Sequence, residues 1–190
     1  MEIASDLHDD IGSTLNSVKI FAHLAMKDRE KEPHLERIEQ SLAEASAGLR
    51  DLIWVLDDTQ DNVQELLDRI KKFALPVCHA NEIEFRCDAT GDLAERPLSK
   101  NIKRNLLLIV KEAINNSFKY AACTRIELRV DADRNKLVVT VRDNGKGFVD
   151  DQITPGYGLR NIRQRAVQIR FDVHIHSSAA GGTSIVLKEK

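Results

Sequence analysis

Asp143-Asn144-Gly145-Lys146-Gly147-Phe148 is the stretch of sequence that decides the fold. Its first residue, Asp143, is the last residue of the run 136–143. Apolar and polar residues alternate in this run, which predicts a strand. A carboxylate at the end of a strand can accept a hydrogen bond from an exocyclic amine of a flat ligand. The two glycines let the backbone approach such a ligand closely or adopt a positive φ angle. Asn-Gly is also a common hairpin signal, but the next twelve residues begin no partner strand, which counts against that alternative.

A helix predicted over about residues 98–121 comes earlier in the chain and contains the segment Glu112-Ala113-Ile114-Asn115-Asn116-Ser117-Phe118-Lys119. Glu112, Asn116 and Lys119 are spaced i, i+4 and i+7, so they share one face of the helix. A carboxylate, an amide and an ammonium group beside an apolar stripe suit Mg²⁺ and phosphate groups, and an amide oxygen is a hard, neutral magnesium ligand. Taken alone, the pattern is more typical of a solvated helix face.

Glycines open another helix, predicted from about Gly158 to Arg170, in the segment Gly156-Tyr157-Gly158-Leu159. The free N–H groups and the positive end of such a helix suit a phosphate chain. Residues 148–157 precede the helix, and we expect them to form a short mobile lid over a nucleotide. A single Gly-x-Gly before a helix is a weak signal without the neighbouring motifs.

The other predicted elements of this part of the chain are a helix at about 62–79, strands at 82–88 and 125–131, and a terminal hairpin with strands at 172–178 and 183–188. The turn of that hairpin ends in Gly181-Gly182-Thr183, which by itself indicates only a turn. Helices clustered before and between mostly sequential strands predict a two-layer α+β sandwich.

Two amphipathic helices are predicted at the start of the chain, one over residues 1–28 and one after a proline-containing break. The second has an apolar seam with strict three-four spacing, formed by Leu35, Ile38, Leu42, Ala45, Leu49, Leu52 and Leu56. An antiparallel hairpin of two such helices cannot cover both apolar faces alone, whereas two copies can, as a four-helix bundle. The pattern therefore predicts homodimerisation through residues 1–57, a linker at 58–62 and a second domain over 63–190.

His8 lies beside the seam of the first helix, whose apolar positions include Leu7 and Ile11, so we expect an accessible ring. The adjacent carboxylate of Asp9 can hold the proton of one ring nitrogen and leave the other nitrogen free to attack. The simpler alternative is a surface histidine on a charged helix, which is how we interpret the other five histidines. Among them, His174-x-His176 has no evident third ligand for a zinc site.

The composition excludes several classes of protein. The 190 residues include 28 Lys+Arg and 30 Asp+Glu, a net charge of −2, which gives no general case for nucleic-acid binding. Three cysteines without CxxC spacing argue against a disulfide framework or a thiolate zinc site and fit a reducing cytosol. No apolar run approaches the roughly 20 residues that a membrane span needs. Because Met1 leads straight into helical sequence, we expect a piece of a longer protein, whose parent chain is free to carry a membrane anchor.

Four segments, at 112–119, 143–148, 156–162 and 181–183, resemble in order and spacing the N, G1, G2 and terminal boxes of the GHKL ATP-binding fold. Each segment alone is a weak signal, but the combined match is specific. The resemblance covers about residues 62–190 and implies a two-layer α/β sandwich of the GHKL type that binds ATP and Mg²⁺.

The resemblance also implies a role for each matching residue. Asn116 would hold Mg²⁺, Glu112 would sit near the metal-bound water or assist proton removal, and Asp143 would bind the adenine amine. Thr183 would support the adenine contact, and Lys119 would contact phosphate. The glycines of the boxes would shape the pocket and lid: Gly145, Gly147, Gly156 and Gly158.

Ile3-Ala4-x-Asp6-Leu7-His8-Asp9-x-Ile11-Gly12 resembles the phosphoacceptor helix of sensor histidine kinases of the nitrate-sensor and DesK-like subclass, and Leu52-Ile53-Trp54 is similar to the same subclass. This resemblance implies the cytoplasmic catalytic core of a two-component sensor kinase, without direct membrane contact in the fragment. The kinase would phosphorylate itself on His8 with ATP and then pass the phosphoryl group to an aspartate of a response-regulator receiver domain. The subclass commonly has Gln at the position of Ser13, so we expect phosphatase activity to be weak or to run differently.

Two other functions stay open at the level of sequence. One is a GHKL-fold ATPase or Ser/Thr kinase that uses the helical hairpin only for dimerisation, which leaves the pairing of His8 with Asp9 unexplained. The other is a catalytically silent dimer scaffold that binds nucleotide weakly. The intact Glu112, Asn116 and Asp143 count against this scaffold.

Overall fold

The computed structural model describes residues 16–26, 32–57, 61–132, 136–148, 157–179 and 181–190. The chain divides into two compact units, Met1–Asp57 and Asp58–Lys190. Residues 58–62, predicted as a linker, fall at the start of the second unit. Among the described helices, none is both long and apolar enough to cross a lipid bilayer.

Two helices make up the described part of the first unit, α1 over residues 16–26 and α2 over Glu32–Leu56. Pro33 lies in the first turn of α2, where the missing N–H has no intrahelical partner to lose, so the helix can begin directly after the break. The guanidinium group of Arg37 lies over the ring of Phe21, 5.3 Å from its centroid. The two helices therefore contact each other, as expected for a helical hairpin.

The apolar seam of α2 is largely uncovered in a single copy of the chain. Leu35, Leu42 and Leu49 are between 45% and 54% exposed, whereas Leu52 is buried. Exposed leucines at this spacing are typical of a helix that packs against a further helix. The homodimer through this surface stays a prediction.

The second unit contains every helix and strand predicted for it. Its helices are α3 (Val63–Ala80), α4 (Lys100–Asn116) and α5 (Tyr157–Gln168). Its strands are β1 (Glu84–Gly91), β2 (Arg125–Ala132), β3 (Leu137–Asp143), β4 (Phe171–Ser178) and β5 (Gly182–Glu189).

The five strands form one mixed sheet in the order β1-β2-β3-β5-β4. β1 pairs with β2 in parallel, and the other neighbouring strands pair antiparallel. The three helices pack against the sheet and one another, with α4 between α3 and α5. Alternate residues of β2 and β3 are buried toward the helices, among them Ile126, Leu128, Leu137 and Val139. This arrangement confirms the predicted two-layer α+β sandwich.

The helix predicted over about residues 98–121 changes geometry within its last turns. Its α-helical part ends at Asn116, and Ser117–Ala121 forms a π-helical turn that closes at Ala122 with φ +49° and ψ +42°. The Ser117 hydroxyl donates to the carbonyl of Ala113, 3.1 Å away, and such a bond from a side chain to the preceding turn is known to distort helices. Wide turns of this kind occur frequently at functional sites.

Candidate active site

A cavity of about 720 Å³ opens between α4, the π-helical turn, the start of α5 and the strands β3 and β5. Its size is typical of a pocket for a ligand as large as a nucleotide. Seven of the predicted site residues line it: Glu112, Asn116, Lys119, Asp143, Gly147, Gly158 and Thr183. Gly145 lies directly behind the lining, and the predicted His8, Asp9 and Gly156 lie outside the described residues.

Asp143 ends β3 and is only 4% exposed, and its carboxylate accepts hydrogen bonds from three donors. The backbone N–H of Gly145 donates to Asp143 Oδ1 over 2.9 Å, and that of Thr183 donates to the same oxygen over 3.2 Å. The Ser117 hydroxyl reaches Asp143 Oδ2 over 3.1 Å. These donors hold the carboxylate in one orientation at the cavity wall, where it can accept a hydrogen bond from an amine of a bound base.

Thr183 is part of a hydroxyl network that continues past the carboxylate. Its Oγ1 lies 3.1 Å from Ser177 Oγ, and Ser177 Oγ accepts a hydrogen bond from the backbone N–H of Phe148 over 2.8 Å. Ser177 Oγ also lies 3.2 Å from the carbonyl oxygen of Gly182. The network joins the end of the glycine segment after β3 to the hairpin of β4 and β5, so two walls of the cavity are held together.

Ser117, Ser177 and Lys146 belong to this site, and the sequence analysis gave none of them a role. Ser117 is 26 residues from Asp143, its carboxylate partner. Ser177 is 29 residues from Phe148, whose backbone N–H donates to it. Ser117 stands inside the segment 112–119, where its hydroxyl was given no role, and Ser177 stands in none of the predicted motifs. For Ser117, the one available signal in the sequence is its position directly after Asn116.

Glu112 and Asn116 face the start of α5 at Gly158. A side chain at Gly158 would place its Cβ 2.2 Å from Glu112 Oε1 and 3.2 Å from Asn116 Nδ2, so a larger residue there would displace the end of the Glu112 side chain. The carboxylate and the amide therefore lie beside the N-terminal end of α5, which carries unpaired N–H groups and partial positive charge. This is a suitable place for a phosphate chain with its counterion.

Two different structural features explain why glycines occupy positions 145 and 147 after β3. Gly147 has φ +61°, a conformation that favours glycine, and a Cβ there would lie 2.1 Å from the carbonyl oxygen of Ser178. Gly145 is needed for space, because its Cβ would lie 2.3 Å from the carbonyl oxygen of Ala121. The segment between them is tied to the π-helical turn by a 2.8 Å hydrogen bond from the Lys146 N–H to Ala121 O.

Two lysines contribute positive charge to the cavity. Lys119, in the π-helical turn, and Lys146, between the two glycines, are both exposed and both line the cavity. Lys119 Nζ lies 5.8 Å from the centroid of the Phe118 ring. Flexible ammonium groups at the rim can reach anionic groups of a ligand without being buried beforehand.

The thiol of Cys123, near Asp143, is not expected to be reactive. Burial raises the pKa of Cys123, and the nearby Asp143 carboxylate raises it further. Burial also raises the pKa of Cys78, with a smaller contribution from Cys123. Because the thiolate is the reactive form, neither cysteine is suited to act as a nucleophile.

A preformed metal centre made of protein side chains is not found among the described residues, which contain no group of three or more His, Cys, Asp or Glu suited to hold an ion. His174 and His176 are exposed, with ring centroids 6.4 Å apart. The donor set of the cavity instead suits Mg²⁺, which keeps several waters and takes one or two protein oxygens together with substrate phosphates. Glu112 Oε1 and the Asn116 amide group lie beside the start of α5, and each of these side chains carries such an oxygen.

Comparison with known families gives a match for each unit. Residues 101–189 match the family of histidine kinase-, DNA gyrase B- and HSP90-like ATPases. Residues 1–62 match the HisKA_3 family, described as histidine kinase. The first match contains all the residues that line the cavity, and the second contains His8 and Asp9.

Relatives and solved structures agree with these matches. The sensor protein VraS of Staphylococcus saprophyticus is 28% identical over 98% of this chain, and VraS of Staphylococcus haemolyticus is 27% identical over the same share. The chain spans about half the length of these relatives, 54% and 53%.

In fold, the chain is similar to the histidine kinase AdeS of Acinetobacter baumannii, with a TM-score of 0.64 at 12% identity over 96% of this chain and 97% of that one. It is also similar to the histidine kinase domain of a blue-light activated kinase of Erythrobacter litoralis, with a TM-score of 0.59 at 17% identity over 100% and 94%. The chain therefore belongs to the sensor histidine kinases of the HisKA_3 type, with a helical region followed by a GHKL-type ATPase domain.

Proposed function

We propose that the chain is the catalytic core of a two-component sensor kinase that transfers the γ-phosphoryl group of ATP to His8 and then to an aspartate of a response regulator. The observation that carries this proposal is the single cavity that joins Asp143, Asn116 and Glu112 to the start of α5. It offers one end for a base and the other for a phosphate chain. A histidine beside a carboxylate, His8 with Asp9, supplies the acceptor.

Asp143 selects the base. Its carboxylate is almost completely buried, so a bound base must satisfy it with a donor, and the exocyclic amine of adenine is such a donor. Guanine presents a carbonyl oxygen at the corresponding position, which would face the carboxylate unfavourably. Ser117 and Thr183 hold the carboxylate in place, which lowers the cost of ordering it on binding.

Asn116 and Glu112 lie where the phosphate chain is expected. Mg²⁺, when bound, would neutralise charge that develops on the phosphate oxygens during transfer. The Asn116 amide oxygen would be its protein ligand, and Glu112 would orient a metal-bound water or accept a proton from the incoming imidazole. Lys119 reaches the phosphates from the rim. Most of the rate enhancement comes from positioning and charge neutralisation.

His8 receives the phosphoryl group on the distal ring nitrogen, Nε2. The N–P bond forms as the bond between the γ-phosphorus and the bridging oxygen of ADP breaks, and the proton on Nδ1 passes to a carboxylate base, for which Asp9 is adjacent in the sequence. Asp9 holds the ring in the tautomer whose lone pair faces the phosphorus. The phosphohistidine then donates to a receiver-domain aspartate of the regulator.

The core works as a homodimer in this proposal, because the apolar seam of α2 needs a second copy to cover it. The supply of ATP places the reaction in the cytoplasm, whatever membrane segments the parent protein has. The loss of Gln at the position of Ser13 leads us to expect weak phosphatase activity toward the regulator.

Incubation with γ-labelled ATP tests the proposal. The wild-type chain is expected to acquire phosphate that is labile in acid and stable in base, and His8→Ala is expected to acquire none. His23→Ala is the matched control, since that ring is a surface histidine on the same predicted helix. Acid-stable label on the wild type, or undiminished label on His8→Ala, would show a different phosphoacceptor and refute the proposal.

A further inference from the structure

Residues 61–63, which we call the junction, lie at the start of the second unit. They are hydrogen-bonded to the segment that leads into α4. The Leu98 N–H donates to the carbonyl of Asp61 over 2.8 Å, and the Val63 N–H donates to the carbonyl of Arg96 over 3.1 Å. Between them, Asn62 forms an antiparallel bridge with Pro97. The junction is thus part of the folded unit and includes the last two residues of the predicted linker, Asp61 and Asn62.

An ion pair between buried Lys103 and Asp61, whose side chain is 26% exposed, adds to these backbone bonds. Lys103, in the first turn of α4, is 1% exposed, and its Nζ lies 2.7 Å from Asp61 Oδ1. Lysine is among the residues least often buried completely, because removing an ammonium group from water costs several kcal/mol. An apolar side chain of similar length would fill the same space more cheaply, so the fold of the unit alone does not explain this pair.

The same helix carries the phosphate end of the cavity. Glu112 and Asn116 follow Lys103 by nine and 13 residues, which is about 14 Å and 20 Å along an α-helix at 1.5 Å per residue. Between them, α4 is fixed in the core by buried apolar residues such as Leu106 and Ile109. The direction of the chain at Asp61 is therefore defined relative to α4, the rigid helix that carries Glu112 and Asn116.

We propose that Asp61 and Lys103 are positioning residues for phosphoryl transfer, whose ion pair holds the junction in one direction relative to α4. This inference rests on the proposed function. A directional, charge-assisted hydrogen bond specifies one geometry, whereas apolar packing tolerates several. Transfer to His8 needs in-line geometry, and a misplacement of about 1 Å can reduce a rate by about 100-fold. The pair would matter for transfer and little for nucleotide affinity, because neither residue lines the cavity.

The decisive variant is the double replacement Asp61→Leu with Lys103→Met in the full chain. Because it removes both charges of the pair together, neither partner is left as a lone charge, and we expect thermal stability close to that of the wild type. We expect His8 phosphorylation at saturating ATP to slow at least tenfold, with the dissociation constant for ATP changed less than twofold. Asp61→Asn, which keeps the shape and weakens the bond, is a milder variant expected to slow transfer about three- to tenfold.

Leu128→Ala is the matched control, because it destabilises the same unit from β2 without touching the junction. It should transfer phosphate at the wild-type rate at temperatures where it is folded. A folded double variant or Asp61→Asn variant with the wild-type rate would overturn the inference, as would a fall in rate matched by an equal loss of ATP affinity. Absence of phosphohistidine in the wild type would instead refute the proposed function, so the two failures are distinguishable.

Discussion

The two units of the chain treat their apolar side chains in opposite ways. In the second unit, Leu106, Ile109 and Ile126 are completely buried between α4 and the sheet. In the first unit, Leu35 and Leu42 of the apolar seam of α2 are about half exposed. Burial of apolar surface is the main favourable term in folding, so the second unit contains its own source of stability.

The difference teaches where each unit can be regulated. A unit that completes its own core is expected to fold as a single copy and bind its ligand independently. A helical unit with an exposed seam depends on what covers that seam, so in the proposed homodimer its stability follows the concentration of the second copy. The following variants test this division, beginning with the largest expected effect.

Leu106→Ala should destabilise the second unit by about 3–5 kcal/mol, because it leaves a cavity in a core that cannot close around it. Chemical denaturation followed by far-ultraviolet circular dichroism measures the change. Leu42→Ala is the control, and at dilutions where the chain is a single copy it should change stability by less than about 0.5 kcal/mol. Similar losses for both variants would remove the distinction between the two units.

Leu42→Glu should weaken self-association by about 100-fold or more, because each copy loses one apolar contact and gains a charge at the seam. Analytical ultracentrifugation measures the dissociation constant, and ATP affinity should stay within twofold of wild type. Gln40→Glu adds the same charge about half a turn around the helix and should leave association nearly unchanged. A wild-type dissociation constant for Leu42→Glu would show that the seam is not the interface.

Asp143→Asn should raise the dissociation constant for ATP by about 100-fold, equivalent to about 2–3 kcal/mol. The amide keeps one oxygen for the backbone N–H groups of Gly145 and Thr183, which both donate to Oδ1, but it replaces the other oxygen by a donor that cannot accept from the base. Isothermal titration gives the constant, and Asp172→Asn, an exposed carboxylate of β4 paired with Lys190, is the control. Self-association should be the same in all three proteins if the units are independent.

Ser117→Ala should weaken ATP binding about fivefold, equivalent to about 1 kcal/mol, because Asp143 loses one of its orienting donors. The same titration measures it. Ser46→Ala is the control from the first unit, where the hydroxyl accepts a hydrogen bond from Arg50 on an exposed helix surface. If Ser117→Ala bound ATP as tightly as wild type, the buried hydroxyl would have no part in holding the carboxylate.

Sequence alone predicted the elements and seven of the residues that line the cavity, because both depend on short-range patterns. The alternation of apolar residues around Val139 predicted β3, and the three-four spacing around Leu42 predicted α2. The helical spacing of Glu112 and Asn116 placed them on one face, and both line the cavity. The π-helical turn was not predicted, because it depends on a hydroxyl whose partners include a residue of another element.

The sequence by itself determined the periodicities, the glycine positions and the order of the chemical groups along the chain, because each is a property of neighbouring residues. Only the tertiary structure decided that Ser117 and Thr183, 26 and 40 residues from Asp143, would converge on its carboxylate. It also placed Asp61 against Lys103, 42 residues further along. Such contacts follow from strand order and helix packing, which arise when the whole apolar surface is buried at once and which no local pattern encodes.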